Sequence, residues 1–499
     1  MEVLHNGLKY CTYVSIMIVG LMIGDAIFSI SYAALGGRPG QTQLQSVTGT
    51  AVQTVCGQLA SDNAMNPLTG NTQDLFFRCR EMVQTSRDLD GLPTGTGNTL
   101  DLNNEQLNNA LQQLATEEVV APRTMATKTF NGQRQNLGAR LAALRLGARG
   151  FSVAGLNFDG LNQQAGLTHE KVGALGFPQR GGGASADDVG GDGRLSVFIN
   201  GIFSTGDKDK TDRENAFDFD SQGVTAGVDY RFLNELVLGT AFTYSHFDAD
   251  FSESSLVTAP TTNPGAAVAV NSGGDSDTDG YTLSLYGTYY LENFYLEGIG
   301  SIGWSDHDAK RKIQYKIGNA AAGTAQDVKR TAKSDTDSTQ YSFSVGTGYN
   351  AHLGGVDFGP YARLTYFKID IDGFKESGAG GLNLEVEDQD VKSLISALGL
   401  RASKKFSWER GVWFPQIRGE WNHEYENDAE NISSRYRNDP RKNELVVRTE
   451  SPDRDFFRVG ATLANVSAGG TQVFFDYETM LGFRDISNHI FTIGARQEF

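Results

Sequence analysis

Large apolar side chains alternate with small or polar ones over the last three hundred or so residues of the chain. A period of two is typical of β-strands, because successive side chains point to opposite faces of a sheet. Gly, Asn, Asp or Pro interrupts the alternation about every ten to fourteen residues, which indicates turns. The pattern predicts twelve strands, at residues 195–205, 223–232, 236–247, 280–291, 294–305, 340–351, 356–369, 391–406, 412–423, 456–466, 471–481 and 488–499.

Each predicted strand is long enough to cross a bilayer when it is tilted, which takes roughly 9 to 11 residues. An even number of such strands is typical of barrels from the bacterial outer membrane. In the sixth strand Tyr341 and Phe343 share one face, whereas Ser342 and Ser344 share the other. We therefore predict an all-β transmembrane barrel of 12 antiparallel strands, preceded by a small helical and irregular N-terminal region.

The lengths of the connections support this fold. Those after the second and fourth strands are very short, whereas residues 248–279, 306–339 and 424–455 form long acidic connections after odd-numbered strands. Short turns at one end and long loops at the other are typical of outer-membrane barrels, so both ends of the barrel are expected on the periplasmic side. A soluble β-sandwich is the alternative, but twelve uniform strands are too many for it.

Charged residues recur on the predicted lumen face of these strands. Arg363, Arg401, Arg418 and Glu420 are expected to balance one another inside a wet pore.

The first 33 residues are predicted to be a cleavable signal peptide. A short polar segment with Lys9 precedes an apolar run, and Ser31-Tyr32-Ala33 offers small residues for cleavage. A transmembrane anchor is the alternative. The run is interrupted by Asp25 and is short for a spanning helix, which needs about 20 residues.

Between signal and barrel the sequence predicts three regions. Residues 34–101 form a short polar region with one helical stretch at 72–83, where Leu75 and Cys79 recur at helical spacing. In this region Cys56 and Cys79 are expected to pair as a disulfide in an oxidising periplasm; a metal site is the alternative, but it lacks nearby His ligands. Residues 102–149 have helical periodicity, with Leu spaced three or four apart. Residues 150–193 form a Gly-rich linker.

Composition and motifs argue against several functions. A formal net charge of -17 and the absence of a basic patch argue against a nucleic-acid partner. The triplet Gly274-Asp275-Ser276 imitates part of an esterase motif, but residues 34–101 contain no His to serve as base, so no enzyme activity is predicted. Asp275, Asp277 and Asp279 imitate a calcium loop, yet a solvated loop is the better interpretation. No metal and no cofactor is predicted.

Several segments resemble the autotransporters, the type V secretion family. They are Gly359-Pro360-Tyr361, the run from Asp372 to Glu376, the strand from Pro415 to Trp421, Phe475-Asp476-Tyr477 and the closing Gly494 to Phe499. The resemblance covers roughly residues 107–499 and implies a twelve-stranded translocator barrel with a helix inside its pore. Residues 133–147 and 168–175 are both candidates for that helix.

The resemblance also implies partners and a function. Phe491, Ile493 and Phe499 would form the recognition strand for the barrel-assembly machinery, with periplasmic chaperones and the outer-membrane bilayer as further partners. The barrel would anchor the chain and export residues 34–101 to the cell surface. The alternative is a passive channel, or a surface structural or adhesion protein, whose N-terminal region stays periplasmic.

Overall fold

The computed structural model describes residues 34–94, 99–100, 102–115, 137, 141, 195–233, 235–251, 273–317, 326–408, 411–426, 428–467 and 471–497. The predicted signal peptide, the predicted Gly-rich linker and Phe499 lie outside these residues. Within them, no helix is both long and apolar enough to span a membrane.

Twelve long strands form one closed antiparallel barrel, which confirms the predicted fold. Each pairs with the next along the chain, and the last pairs with the first through Phe203 opposite Phe491. The long strands are β1 (Leu195–Lys208), β2 (Phe217–Arg231), β3 (Leu236–Phe251), β4 (Gly274–Leu291), β5 (Phe294–Ile317), β6 (Gln326–Tyr349), β8 (Val356–Ile371), β11 (Gln389–Lys404), β13 (Gly411–Glu424), β16 (Asp455–Ser467), β17 (Thr471–Leu481) and β18 (Ile486–Gln497).

The two ends of the barrel differ in their connections. At the end that we call the turn end, residues 232–235 join β2 to β3 and residues 292–293 join β4 to β5. Short strands β7 (Ala351–Leu353) and β12 (Phe406–Trp408) continue β6 and β11 there. Gly354 and Gly355 have φ of +59° and +78°, which suits a tight turn that a side chain would strain. The opposite end, the loop end, carries the long connections.

The two faces of the wall have different chemistry. Hydroxyl groups fill much of the lumen face and pair across strands, as Thr225 does with Thr243 at 2.9 Å and Ser344 with Thr365 at 3.0 Å. Side chains on the outer face are apolar and exposed, including Phe242, Leu283, Leu285, Leu296, Tyr341, Phe343, Leu398, Leu400, Ile417 and Leu463. The predicted assignment of faces in the sixth strand is therefore correct.

Several strands continue past the predicted membrane segment. β5 and β6 pair in register from Phe294 and Tyr349 as far as Ile317 and Gln326, so part of the predicted acidic loop is a long β-hairpin. Other connections form a second sheet of β9 (Phe374–Lys375), β10 (Leu384–Val386), β14 (Asn431–Tyr436) and β15 (Leu445–Arg448). The loop end is thus largely ordered β-structure.

Within the described residues of 34–115 there are three helices: α1 (Gln43–Met65), α2 (Gly70–Leu89) and α3 (Asn104–Gln112). Thr42 and Gln45 form a capping box that begins α1, and Asn103 and Gln106 form one that begins α3. The disulfide Cys56–Cys79 joins α1 to α2, with the Cα atoms 5.4 Å apart. The helix α1 is a difference from the sequence analysis, which proposed only one short helical stretch at 72–83.

The helices share one hydrophobic core, which includes Leu59, Leu75, Met82, Leu107 and Leu111. α3 belongs to this core, although the sequence analysis grouped residues 102–149 as a separate region. We call the described residues of 34–115 the helical cap. The cap lies at the loop end, because its core continues into side chains of the extended β5–β6 hairpin.

Candidate functional site: the lumen and the helical cap

The predicted lumen charges lie in the lumen, and two of them pair with each other. Arg363 Nη2 donates to Glu420 Oε1 at 2.7 Å, and the Tyr361 hydroxyl donates to Glu420 Oε2 at 3.1 Å. The side chains of Arg363 and Glu420 are largely buried. This pairing couples β8 to β13 across the intervening strand β11.

Arg418 forms a separate network with two acidic residues that the sequence analysis did not select. Its Nη1 donates to Asp476 Oδ1 at 2.7 Å, and its Nη2 donates to Glu478 Oε2 at 2.9 Å. The guanidinium lies over Gly460, where an added Cβ would come within 2.6 Å of its Cζ. Gly is needed at such positions because a side chain there would collide with one from a neighbouring strand that lies flat against the wall.

The fourth predicted charge, Arg401, binds a side-chain amide and lies close to an aromatic ring. Its Nη2 donates to Asn350 Oδ1 at 2.7 Å, and its Cζ lies 5.8 Å from the centre of the Tyr295 ring.

Leu137 and Leu141 lie inside the barrel. Both positions are helical and buried, and they pack with an apolar cluster on the lumen face near the turn end. The barrel members of the cluster are Phe198, Val237, Ala241, Tyr286 and Ile299. Of the two candidate segments for a helix in the pore, 133–147 contains both residues.

The cap buries its apolar side against the loop end of the barrel wall. Its core includes Ile313 and Tyr315 of β5, Val328 and Ala332 of β6, and Tyr436 of β14, each at most 5% exposed. We call the described residues of 311–332, 376–384 and 432–447 the platform. Cap and platform therefore have one continuous hydrophobic core.

Arg311 of the platform is the most deeply buried charge at this contact. It is 2% exposed and donates to both carboxylate oxygens of Glu376, at 3.0 and 2.6 Å. Its Nη1 donates to the backbone carbonyl of Gln113, just past the end of α3, at 2.8 Å. A buried charge is tolerated when it is paired and hydrogen-bonded in this way.

Asp74, near the start of α2, forms a second polar contact with the platform. Arg330 Nη2 donates to Asp74 Oδ1 at 2.7 Å, and the backbone N–H of Gly381 donates to Asp74 Oδ2 at 2.8 Å. An Arg–carboxylate pair with two parallel bonds fixes orientation as well as adding energy. This contact sets the position of α2 on the platform.

Glu81, two turns further along the buried side of α2, is 5% exposed. Burial raises the pKa of the Glu81 carboxyl to about 7, against the opposing effect of the Arg78 and Arg80 guanidinium groups. The cap therefore contains a carboxyl group that takes up a proton near neutral pH.

The stretch with Asp275, Asp277 and Asp279 is not a loop, as the sequence analysis expected, but the beginning of β4. Strand alternation points the three side chains out of the same face in a row, so they cannot wrap an ion as a calcium loop does. Asp277 instead forms a group with His246 and Asp248, in which three ligand atoms lie within 4.8 Å of one another. Ser276 Oγ donates to the Asp308 carbonyl at 3.0 Å.

The predicted assembly-signal residues lie on the last strand. Phe491 packs against Phe475 and Tyr477, with ring centres 6.3 and 5.2 Å away. The side chain of Ile493 and the whole of Phe499 lie outside the described residues.

The sequence analysis missed the residues that join cap and platform. Asp74 and Arg330 are 256 positions apart, and Gln113 and Arg311 are 198 apart. No local spacing connects them. The one local signal was the helical periodicity around Leu75 and Cys79, which shows a buried face but not the surface that covers it.

We expect Arg418→Ala to destabilise the barrel by about 3–5 kcal/mol, because it leaves the largely buried carboxylates of Asp476 and Glu478 without the guanidinium that pairs with them. The measurement is the temperature at which the compact, fast-migrating form of the barrel is lost on a gel. Arg484→Ala is the control, since Arg484 is 80% exposed and its pair with Asp453 should contribute little. Equal midpoints for the two variants would contradict a structural role for the Arg418 network.

We expect Glu81→Gln to make the cap more stable at about pH 8 and to change little near pH 5. The folded-state pKa lies above the ordinary value of 4.5, so protonation stabilises the fold at low pH, and this stabilisation is lost as the pH rises through about 7. Hydrogen–deuterium exchange of α2, compared at equal pH, measures the effect. Glu105→Gln, at an exposed position of α3, should leave the difference between the two pH values unchanged.

Two known proteins are similar to this chain in sequence. The chain is 24% identical over 258 residues to outer membrane protein A of Rickettsia conorii, which covers 51% of this chain and 12% of that protein. It is 24% identical over 205 residues to esterase EstA of Pseudomonas aeruginosa, 33% of this chain and 30% of that protein. The chain thus spans less than a third of the length of either relative.

Among solved structures, the translocator domain of the autotransporter NalP from Neisseria meningitidis matches with a TM-score of 0.44 at 14% identity, over 68% of this chain and 98% of that one. The transport unit of AIDA-I from Escherichia coli matches with a TM-score of 0.38 at 13% identity, over 61% and 90%.

The family model for the autotransporter β-domain matches residues 197–478, which is more than half of the chain and includes eleven of the twelve barrel strands in whole or in large part. The match begins in β1 and ends in β17, the strands on either side of β18. The chain belongs to the autotransporter β-domain family, and its barrel resides in the bacterial outer membrane.

Proposed function

We propose that the barrel carries residues 34–115 across the outer membrane through its own lumen and holds them on the cell surface. The observation that supports this most directly is the path of the chain. The cap lies at the loop end, Leu137 and Leu141 lie in the lumen near the turn end, and β1 begins at the turn end with Leu195. Such a path runs from one side of the membrane to the other.

The orientation of the barrel gives this path its direction. Outer-membrane barrels have short turns in the periplasm and long loops outside the cell. A cap at the loop end is therefore outside, while the start of the barrel is periplasmic. The alternative that we considered, with a periplasmic N-terminal region, would need residues 34–115 at the turn end.

Accessible tags on intact cells test the proposal. We expect an epitope inserted after Met65, which is 77% exposed between α1 and α2, to bind antibody on intact cells. The same epitope inserted between Gly354 and Gly355, in a turn of the turn end, should bind only after the outer membrane is permeabilised. Protection of the first tag in intact cells whose barrel is folded would overturn the proposal.

The proposal extends to the assembly of the barrel. The β1–β18 seam joins the first and the last strand of the barrel, and Phe491 presents an aromatic side chain beside it. We infer that β18, with Phe491, Ile493 and Phe499, is bound by the barrel-assembly machinery after periplasmic chaperones have delivered the chain.

Deletion of Phe499 is expected to lower the amount of protein in the outer membrane several-fold. Quantification of the barrel in outer-membrane fractions measures this. Deletion of Asn293, in the turn between β4 and β5, is the control for general disruption of the barrel. Unchanged levels without Phe499 would contradict its role in recognition.

A further inference from the structure

We infer that the platform is the receptor for the exported helices: the cap completes its fold only there and stays bound even without a covalent connection to the barrel. The location of this event outside the cell rests on the proposed function. The binding itself does not.

The shared hydrophobic core is the first argument. The described cap amounts to fewer than eighty residues, and a unit of that size rarely has a sufficient core of its own. Leu75 is 1% exposed and Leu107 is fully buried, in a core that Tyr315, Leu382 and Tyr436 complete. Without the platform, the apolar side of α2 would face water.

A second contact holds the other side of the cap. Leu44 and Ala115 pack with Leu445 and Val447 of β15. The backbone N–H of Leu44 also donates to the carbonyl of Asp212, in the connection between β1 and β2, at 3.2 Å. The beginning of α1 and the end of the cap thus both pack on β15, and the beginning of α1 also binds the connection between β1 and β2.

Gly381 provides the tightest approach between the two parts. A Cβ added there would lie 2.3 Å from the backbone N of Leu75 and 2.7 Å from the carbonyl oxygen of Asn71. Both atoms belong to the α2 backbone and cannot move aside as a flexible side chain could. Contact at this distance fits one pose of the helix on the platform.

The polar contacts select the same pose. Asp74 binds Arg330 and the N–H of Gly381 together, and Arg311 needs the Gln113 carbonyl as one of its acceptors. An undocked cap would leave Arg311 with one acceptor fewer, and a shifted cap would break the pair between Asp74 and Arg330. Buried polar groups without their partners destabilise the protein, so these contacts favour one pose of the cap on the platform over all shifted ones.

Retention has a consequence for export. Once α1–α3 have packed on the platform, return through the lumen requires that the whole contact be broken. Docking therefore gives the transfer its direction without the use of a nucleotide, for which the sequence offers no binding loop.

The experiment uses the full-length protein folded in detergent, with a protease site inserted after Thr116. After cleavage, size-exclusion chromatography and dilution measure whether the fragment that ends at residue 116 stays with the barrel, and how fast it dissociates. We expect the fragment to co-elute with the barrel. Prompt release from the otherwise unchanged protein would overturn the inference.

Two pairs of matched variants show whether the described contact is responsible. Gly381→Ala should release the fragment at least about ten-fold faster, whereas Gly57→Ala, with nothing within 4 Å of its added Cβ, should not. Asp74→Ala should likewise speed release, and Asp88→Ala, at an exposed position of the same helix, should change it little. Equal release within both pairs would also overturn the inference.

The barrel of each variant is checked separately by its heat-dependent migration on a gel, so a folding failure is not mistaken for undocking. The result is independent of export. A cap that binds in detergent but carries a protected tag in intact cells would contradict the proposed function alone. An accessible tag with a cap that falls away would contradict only the present inference.

Discussion

The constraint on which the rest of this structure depends is the absence of water in the hydrocarbon core of a membrane. A backbone N–H or C=O group there must find its partner within the protein, which leaves a closed barrel as the only solution for strands. Pairing of β18 with β1 supplies that closure. Once the wall is closed, every strand has one face in lipid and one in the lumen, and the period-two alternation follows directly.

The lumen face then has to be filled with polar groups that satisfy one another. Cross-strand hydroxyl pairs supply the neutral part, and the Arg363–Glu420 and Arg418–Asp476 contacts supply the charged part. Past the membrane the requirement changes again. There the lumen side of the strands becomes apolar at Ile313 and Tyr315, because helices rather than water cover it. A single strand such as β5 therefore meets lipid, a polar lumen and a protein core in succession.

This succession explains what the sequence could and could not predict. Alternation is local and strong where lipid and lumen impose opposite chemistry, so all twelve barrel strands were found near their positions. Beyond the membrane both faces of β4–β6 carry Asp, Lys, Thr and Ser, which resembles loop composition, and the strand extensions were missed. α1 was missed because its buried positions include Thr48 and Gly49 instead of a strong apolar stripe. The contacts of Asp74 with Arg330 depend on the tertiary fold alone.

The extension of β5 and β6 beyond the membrane also limits which N-terminal regions can be joined to this barrel. The hairpin is the same pair of strands in the wall and beneath the cap, without a break in register between the two. Exchange of the N-terminal region for an unrelated one would expose Ile313, Tyr315 and Val328 to water on this strand pair. The result would be an apolar surface that tends to bind other proteins. The helical cap and the platform are complementary to each other, whereas none of the described barrel residues below the platform belongs to this shared core.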